Sequence, residues 1–239
     1  MNPKRIAILQ CGESVPGSIE THGDYDTMCK VMLGLKGDEA QTYRVLDGDF
    51  PGNVNDHSVY VITGSKFGVY ENHAWIGPLE VFIRAARDAG KTMIGVCFGH
   101  QIIAQALGGR VGKSDKGFGI GLMSYTLETA SGEHKQIDLY AWHQDQVMEA
   151  PEGATVIASS DFCPIAGLQY GDQIISFQPH PEFSAGYERV LIEARRGTVI
   201  SEELAEAGEA TLDAPSDSAQ ICELLQSFAA GAAPKQESA

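Results

Sequence analysis

Basic residues are scarce in this chain. Seventeen Lys and Arg stand against 32 Asp and Glu, a formal charge of −15 over 239 residues. Nucleic acids and anionic membrane surfaces are bound through clustered positive charge, so neither is an expected partner. Long apolar runs are lacking too. No stretch approaches 18 consecutive apolar residues, so no membrane span is expected. The short run Ile6-Ala7-Ile8-Leu9 behind Lys4-Arg5 is too brief for a signal peptide and reads as a first strand. A cytoplasmic protein is the expectation. The cysteines (Cys11, Cys29, Cys97, Cys163 and Cys222) are odd in number and scattered, with no C-x-x-C pair. That argues against a disulfide scaffold and a structural zinc site. His134, His143 and His180 lie far apart and form no ligand-spaced cluster, and no Walker-type phosphate loop occurs. No metal, ATP site or other cofactor is therefore expected.

What the chain does have is enough apolar residue, 43%, to build a real core. Residues 5–10 read as a strand, 11–24 as a loop, and 25–35 as a helix with Met28, Val31, Met32 and Leu35 at helical spacing. Strands follow at 42–46 and 58–63. A helix starting near Pro78 carries Leu79, Phe82, Ile83 and Ala86 on one face and can stop at Gly90. Residues 92–96 form a nearly all-apolar strand, as a parallel strand covered on both faces should be, and 99–107 read as a helix. Beyond this the period changes. Strands are expected at 119–127, 136–142, 154–158, 165–170 and 173–177, several joined by short polar turns. Strands alternating with helices, then hairpin-like strands, imply one α/β sandwich with an added sheet edge. From Ser184 the chain reads helical, with Val190, Leu191 and Ala194 as a candidate face and breaks at Gly208 and Pro215. Asp217 or Ser218 is placed to cap a last helix bearing Ile221, Leu224, Leu225 and Phe228.

Cys97 ends the apolar strand inside Gly95-Val96-Cys97-Phe98-Gly99-His100-Gln101, and a helix begins directly after it. A strand, sharp turn and helix push a nucleophile out over the carboxyl edge of a sheet. Small neighbours such as Gly95 and Gly99 leave room for the turn, and helix-start amides can donate to an oxyanion. A thiol nucleophile needs a base, and the base needs an acceptor on its other nitrogen. Phe177-Gln178-Pro179-His180-Pro181-Glu182-Phe183 supplies both, because residues i and i+2 of an extended segment share a side. His180 is the expected base and Glu182 its acceptor. His100, beside the nucleophile, is the weaker alternative.

Together, Gly95-Val96-Cys97-Phe98-Gly99-His100-Gln101 and Pro179-His180-Pro181-Glu182 resemble the class I (triad) glutamine amidotransferase family, from the first strand to about Phe183. Within it the chain most resembles standalone relatives of the GMP synthase glutaminase domain, a group that includes γ-glutamyl peptidases. The resemblance implies a flavodoxin-like three-layer α/β sandwich, with a central mostly parallel sheet and a smaller mixed or antiparallel extension. Residues 1–200 would form this domain. Residues 201–239 would be an acidic helical extension packed on it, frayed from Gly231 onward. A Cys97, His180 and Glu182 triad is implied, forming a glutamyl thioester and releasing glutamate and ammonia. Gly64, Ser65 and the Phe98 amide are implied as the oxyanion site, and Gln101, His143 and Gln144 as contacts to the substrate. The substrate would be a small molecule, glutamine or another γ-glutamyl compound, and a synthase partner could receive the ammonia. No synthase domain is expected within these residues. The alternatives are a γ-glutamyl peptidase using the same triad and a non-enzymatic protein that keeps the fold. Residues 66–72 and 11–24, with Glu13, Glu20, His22 and Asp24, are expected to border the acceptor side of the site.

Overall fold

The computed structural model describes residues 5–129 and 131–231. Among these, the strands are β1 (Ile6–Gln10), β2 (Ala40–Arg44), β3 (Val59–Ile62), β4 (Thr92–Val96), β5 (Arg110–Lys113), β6 (Gly119–Glu128), β7 (His134–His143), β8 (Asp145–Glu149), β9 (Thr155–Ser159), β10 (Gly167–Tyr170) and β11 (Ile174–Phe177). The helices are α1 (Ile19–His22), α2 (Tyr25–Met32), α3 (Ile76–Asp88), α4 (Phe98–Ala106), α5 (Ala185–Arg195), α6 (Glu202–Glu209) and α7 (Ser218–Ala230).

One nine-stranded sheet runs in the order β2-β1-β3-β4-β11-β10-β9-β6-β7. Its first five strands are parallel and the rest continue it antiparallel. β5 and β8 form a separate antiparallel pair. β1, β3 and β11 are buried at every residue, the signature of parallel strands covered on both faces. Alternation assigns the faces. Ile6 and Ile8 pack with Cys29 and Met32 of α2 and Ile221 and Leu225 of α7. Ala7 and Leu9 pack with Leu79 and Ile83 of α3 and Ile102 and Ile103 of α4. The result is three layers, helices over sheet over helices. A third cluster joins α5 and α6 to the antiparallel edge through Ile120, Tyr140, Tyr187, Leu191 and Ala205. No helix among the described residues is long and apolar enough to cross a membrane.

Several local expectations change. The second strand starts at Ala40 and ends at Arg44, where Val45–Asp47 turns into a short 3-10 helix. The loop at 11–24 contains α1. On α2 the buried side is Met28, Cys29 and Met32, and Val31 is exposed. On α5 it is Tyr187, Glu188, Leu191 and Ile192, while Ala194 is exposed. A tyrosine and a glutamate are part of that face, so it is rotated from the one its aliphatic residues suggest. Gly208 does not break its helix but lies inside α6. A Cβ there would sit 2.8 Å from Ile120 Cδ1, so the missing side chain is what lets α6 press on β6. Asp217 occupies the cap position of α7, yet its carboxylate accepts from the Asp138 amide at 2.9 Å and ties the helix to β7. β5 and β8 have no counterpart among the expected strands, because short strands with mixed burial carry no clean period. The expected fraying beyond Gly231 lies outside the described residues.

Because β3, β4 and β11 are parallel neighbours, with Ile62 opposite Gly95 and Phe177 opposite Val96, their carboxyl ends share one edge. Open parallel sheets place ligand sites at such an edge. The close seat of α4 on the sheet depends on Gly99, where a Cβ would fall 2.1 Å from the Ile62 carbonyl oxygen. Backbone cannot yield by that much. Gly99→Ala is expected to lose about 3 kcal/mol of stability or more, at the upper end of overpacking costs. Gly77→Ala in α3, where nothing lies within 4 Å, should be neutral or stabilise by up to about 1 kcal/mol. Urea denaturation of the two variants tests the contrast.

Candidate active site

Cys97 stands between β4 and α4 at φ 51° and ψ −103° and is the one non-glycine with positive φ among the described residues. Such backbone persists only where surrounding contacts over-determine it. Here the Cys97 N–H donates to the Phe177 carbonyl at 2.8 Å, and its own carbonyl accepts from the Gln101 N–H at 3.0 Å. The thiol is buried, with Sγ 3.9 Å from the Trp142 carbonyl oxygen.

His180 follows β11 at the same edge. Its N–H donates to the Tyr140 carbonyl at 2.8 Å, and its ring stacks on Phe183 at 3.9 Å with an 8° interplanar angle. Nδ1 lies 2.8 Å from Glu182 Oε1, and both side chains are buried. A carboxylate partner at Nδ1 places the proton there, so Nε2 is the nitrogen that can take one. Nε2 has no hydrogen-bond partner among the described residues. Burial opposes charge on the ring, but the Glu182 carboxylate and the Cys97 sulfur outweigh it and raise His180 well above an ordinary histidine. Gly64 adjoins both groups, since a Cβ on it would lie 3.3 Å from His180 Cε1 and 3.9 Å from Cys97 Cβ. The Phe98 amide opens α4 beside the sulfur. Cys97, His180, Glu182, Gly64, Ser65 and Phe98 thus gather at one place.

His100 is engaged elsewhere. Nδ1 is 2.8 Å from Ser176 Oγ, Nε2 is 3.1 Å from the Ile165 carbonyl, and burial pushes the ring down to about 4. Neither nitrogen is available to a thiol. The substrate-contact expectations fare differently from one another. Gln101 is buried, and its Nε2 donates to the Asp145 carbonyl at 2.9 Å and to Gln178 Oε1 at 3.0 Å. It therefore pins the start of β8 to the segment leading into His180. The His143 ring lies 3.2 Å from the same Asp145 carbonyl, and burial with the neighbouring His180 pushes it to about 3. The Gln144 carbonyl already accepts from Ser114 at 3.1 Å. Of the loop candidates, Tyr70 donates to Asp145 Oδ2 at 2.9 Å. Glu13 pairs with Arg44 at 2.7 Å, and Asp24 caps α2.

Two features went unread in the sequence. Phe183 is a stacking platform, although its place one residue after Glu182 is a signal. Glu188 is fully buried, accepts from the Gly121 amide at 3.0 Å and is pushed by burial to about 8. A glutamate flanked by Tyr187 and Leu191 on one helix could have been flagged by that break in pattern.

The family model described as "Glutamine amidotransferase class-I" matches residues 60–195. Gamma-glutamyl peptidase 5 of Arabidopsis thaliana is 29% identical over 95% of this chain and 96% of that protein. The GMP synthase [glutamine-hydrolyzing] of Aromatoleum aromaticum is 33% identical over 66% of this chain and 33% of that enzyme. A crystal structure of a glutamine amido transferase from Methylobacillus flagellatus superposes with a TM-score of 0.73 at 21% identity, covering 99% of this chain and 98% of that one. That last likeness is one of fold.

If Glu182 is the group that holds the proton on His180, Glu182→Gln removes the opposing charge and leaves burial to act. The His180 ring should then titrate at a markedly lower pH than in the parent protein. An NMR titration of histidine-labelled protein reads this directly, and an unmoved His180 titration would exclude the pairing as the cause.

Proposed function

Since the chain belongs to the class-I glutamine amidotransferase family, we propose that it hydrolyses the γ-amide of a glutamyl group through a Cys97 thioester. Glutamine is the simplest substrate, with glutamate and ammonia as products. The observation that carries this reading is the strained, buried Cys97 beside a His180 ring oriented at 2.8 Å by Glu182.

The Cys97 sulfur attacks the γ-carbonyl carbon, and the thiol proton passes to His180 Nε2. The C–S bond forms as the carbonyl π pair moves onto oxygen. The Phe98 N–H and the amides at Gly64 and Ser65 stabilise that oxyanion. Collapse expels the amine, which takes the proton from His180. A water then gives its proton to His180 and attacks the thioester. Glutamate leaves and the thiol is restored. Glu182 keeps one tautomer throughout. Gln101, His143 and Gln144 hold the amino-acid end of the substrate, with Gln101 acting through its grip on Asp145 and Gln178.

The likeness to a γ-glutamyl peptidase over nearly the whole of both chains favours a second reading. The acyl half of the reaction is the same, and the leaving group is the amine of a peptide or conjugate. The GMP synthase match spans only a third of that enzyme. It supports the first reading, with a separate synthase partner receiving the ammonia.

Glutamate release from glutamine and from a panel of γ-glutamyl peptides separates these. Cys97→Ala should abolish release from whichever substrate is used. His180→Ala should lower kcat by about 10²–10⁴-fold, the range for loss of a general acid–base group. Glutamine turnover with every peptide inert would exclude the peptidase reading, and the reverse would exclude the glutaminase one. Cys97-independent release would exclude both.

A further inference from the structure

The peptide that joins Gly64 to Ser65 is held from two sides. The Gly64 carbonyl accepts from the Thr63 hydroxyl at 3.0 Å. The Thr63 oxygen in turn accepts from the Cys11 amide at 3.0 Å. A relay thus runs from the end of β1 through a fully buried threonine to the Gly64 oxygen. Gly12 stands against the same peptide. A Cβ on it would lie 2.8 Å from the Gly64 oxygen and 2.8 Å from Ser65 Cα, so only a glycine fits.

Residue 12 is itself held. Gln10 Nε2 donates to the Gly12 carbonyl at 3.0 Å and to Asp24 Oδ2 at 2.7 Å. Asp24 Oδ1 accepts from the Ser14 amide at 2.8 Å and the Tyr25 amide at 2.9 Å. Asp24, which the sequence places in an acceptor-side loop, is therefore a clamp on that loop.

A trans peptide is planar, so its C=O and N–H point in opposite directions. Fixing the Gly64 oxygen fixes the direction of the Ser65 N–H. We propose that Thr63 and Gly12 are positioning residues for the oxyanion site, acting through the 64–65 peptide to hold the Ser65 N–H ready for the γ-carbonyl oxygen. The proposal rests on the Cys97 reading given above. Its physical basis is preorganisation: a donor aids catalysis most when it need not reorient as charge develops. Thr63 and Gly12 touch no reacting atom.

The test uses the full chain with glutamine and γ-glutamyl p-nitroanilide as substrates. Alongside turnover, the rate at which iodoacetamide alkylates Cys97 is read by mass spectrometry. In that alkylation the sulfur displaces iodide from a methylene carbon, so no oxyanion forms. Thr63→Val should lower kcat by about 10–100-fold, part of the loss seen when an oxyanion donor is removed. KM and the Cys97 alkylation rate should stay near those of the parent. Thr63→Ser, which keeps the hydroxyl, should recover kcat. Gly12→Ala should repeat the kcat loss through the other side of the peptide, while Glu152→Ala, exposed in the turn before β9, should leave kcat unchanged. A Thr63→Val enzyme with parental kcat overturns the proposal. So does a loss shared equally by alkylation and turnover, because that marks general disruption of the nucleophile. A parent protein that turns over neither substrate, yet still alkylates at Cys97, overturns the underlying reading and the proposal with it. An active parent with an indifferent Thr63→Val overturns the proposal alone.

Discussion

Cys97 adopts a backbone conformation that costs a residue with a side chain on the order of 1–3 kcal/mol, and the close docking of α4 on the sheet holds it there. Gly99 lies so near Ile62 that no side chain fits, and a Cβ on Gly95 would meet the Gly99 carbonyl at 2.6 Å. These two contacts bring the first turn of α4 directly over the ends of β3 and β4. The Phe98 amide then opens beside the sulfur, Gly64 adjoins it, and β11 delivers His180 from the neighbouring strand. A looser helix would relax the turn and separate these groups.

Burial lowers the pKa of His100, His143 and His180 alike, yet the net shift of His180 is opposite to the other two, and the difference isolates what the carboxylate does. His100 and His143 have only neutral oxygen partners and are pushed down to about 4 and about 3. His180 is buried as deeply but faces Glu182, and it is raised. Desolvation by itself drives an imidazole neutral, and a charged partner at hydrogen-bond distance reverses the outcome. Such a buried pair adds little net stability, since desolvating both ions offsets most of their attraction. What it secures is orientation and tautomer, fixed further by the Phe183 stack and the Tyr140 carbonyl. Glu188 shows the complementary case. Among the described residues no cation forms an ion pair with it, and burial pushes it up to about 8.

The parallel half of the sheet was legible where its strands are apolar runs, as in β1, β3 and β4, and less so at β2, whose Ala-Gln-Thr-Tyr-Arg is half-buried and begins two residues before the expected strand. β4 and α4 fall within a residue of their expected bounds. Legibility declines toward the antiparallel edge. β5 and β8 carry no period to detect, and Gly208 reads as a breaker although it is a contact point. At the site, Cys97, His180 and Glu182 could be picked from local spacing, since an elbow and an i, i+2 pair are short-range features. Its position in the motif points Gln101 at the substrate. Its observed bonds to Asp145 and Gln178 span 44 and 77 residues and could not be read from that motif.

Residue types and their order, by themselves, determined the alternation of apolar strands with amphipathic helices, the turn at Cys97 and the adjacency of His180 to Glu182. Each of these depends on interactions within a few residues. Only the tertiary structure decided which buried histidine's pKa is raised rather than lowered, which carboxylates are buried, and that Cys11, Gly12 and Thr63 meet at the Gly64–Ser65 peptide. Those outcomes depend on desolvation and on contacts between chain segments far apart in sequence. Both exist only once the three layers have closed on the sheet.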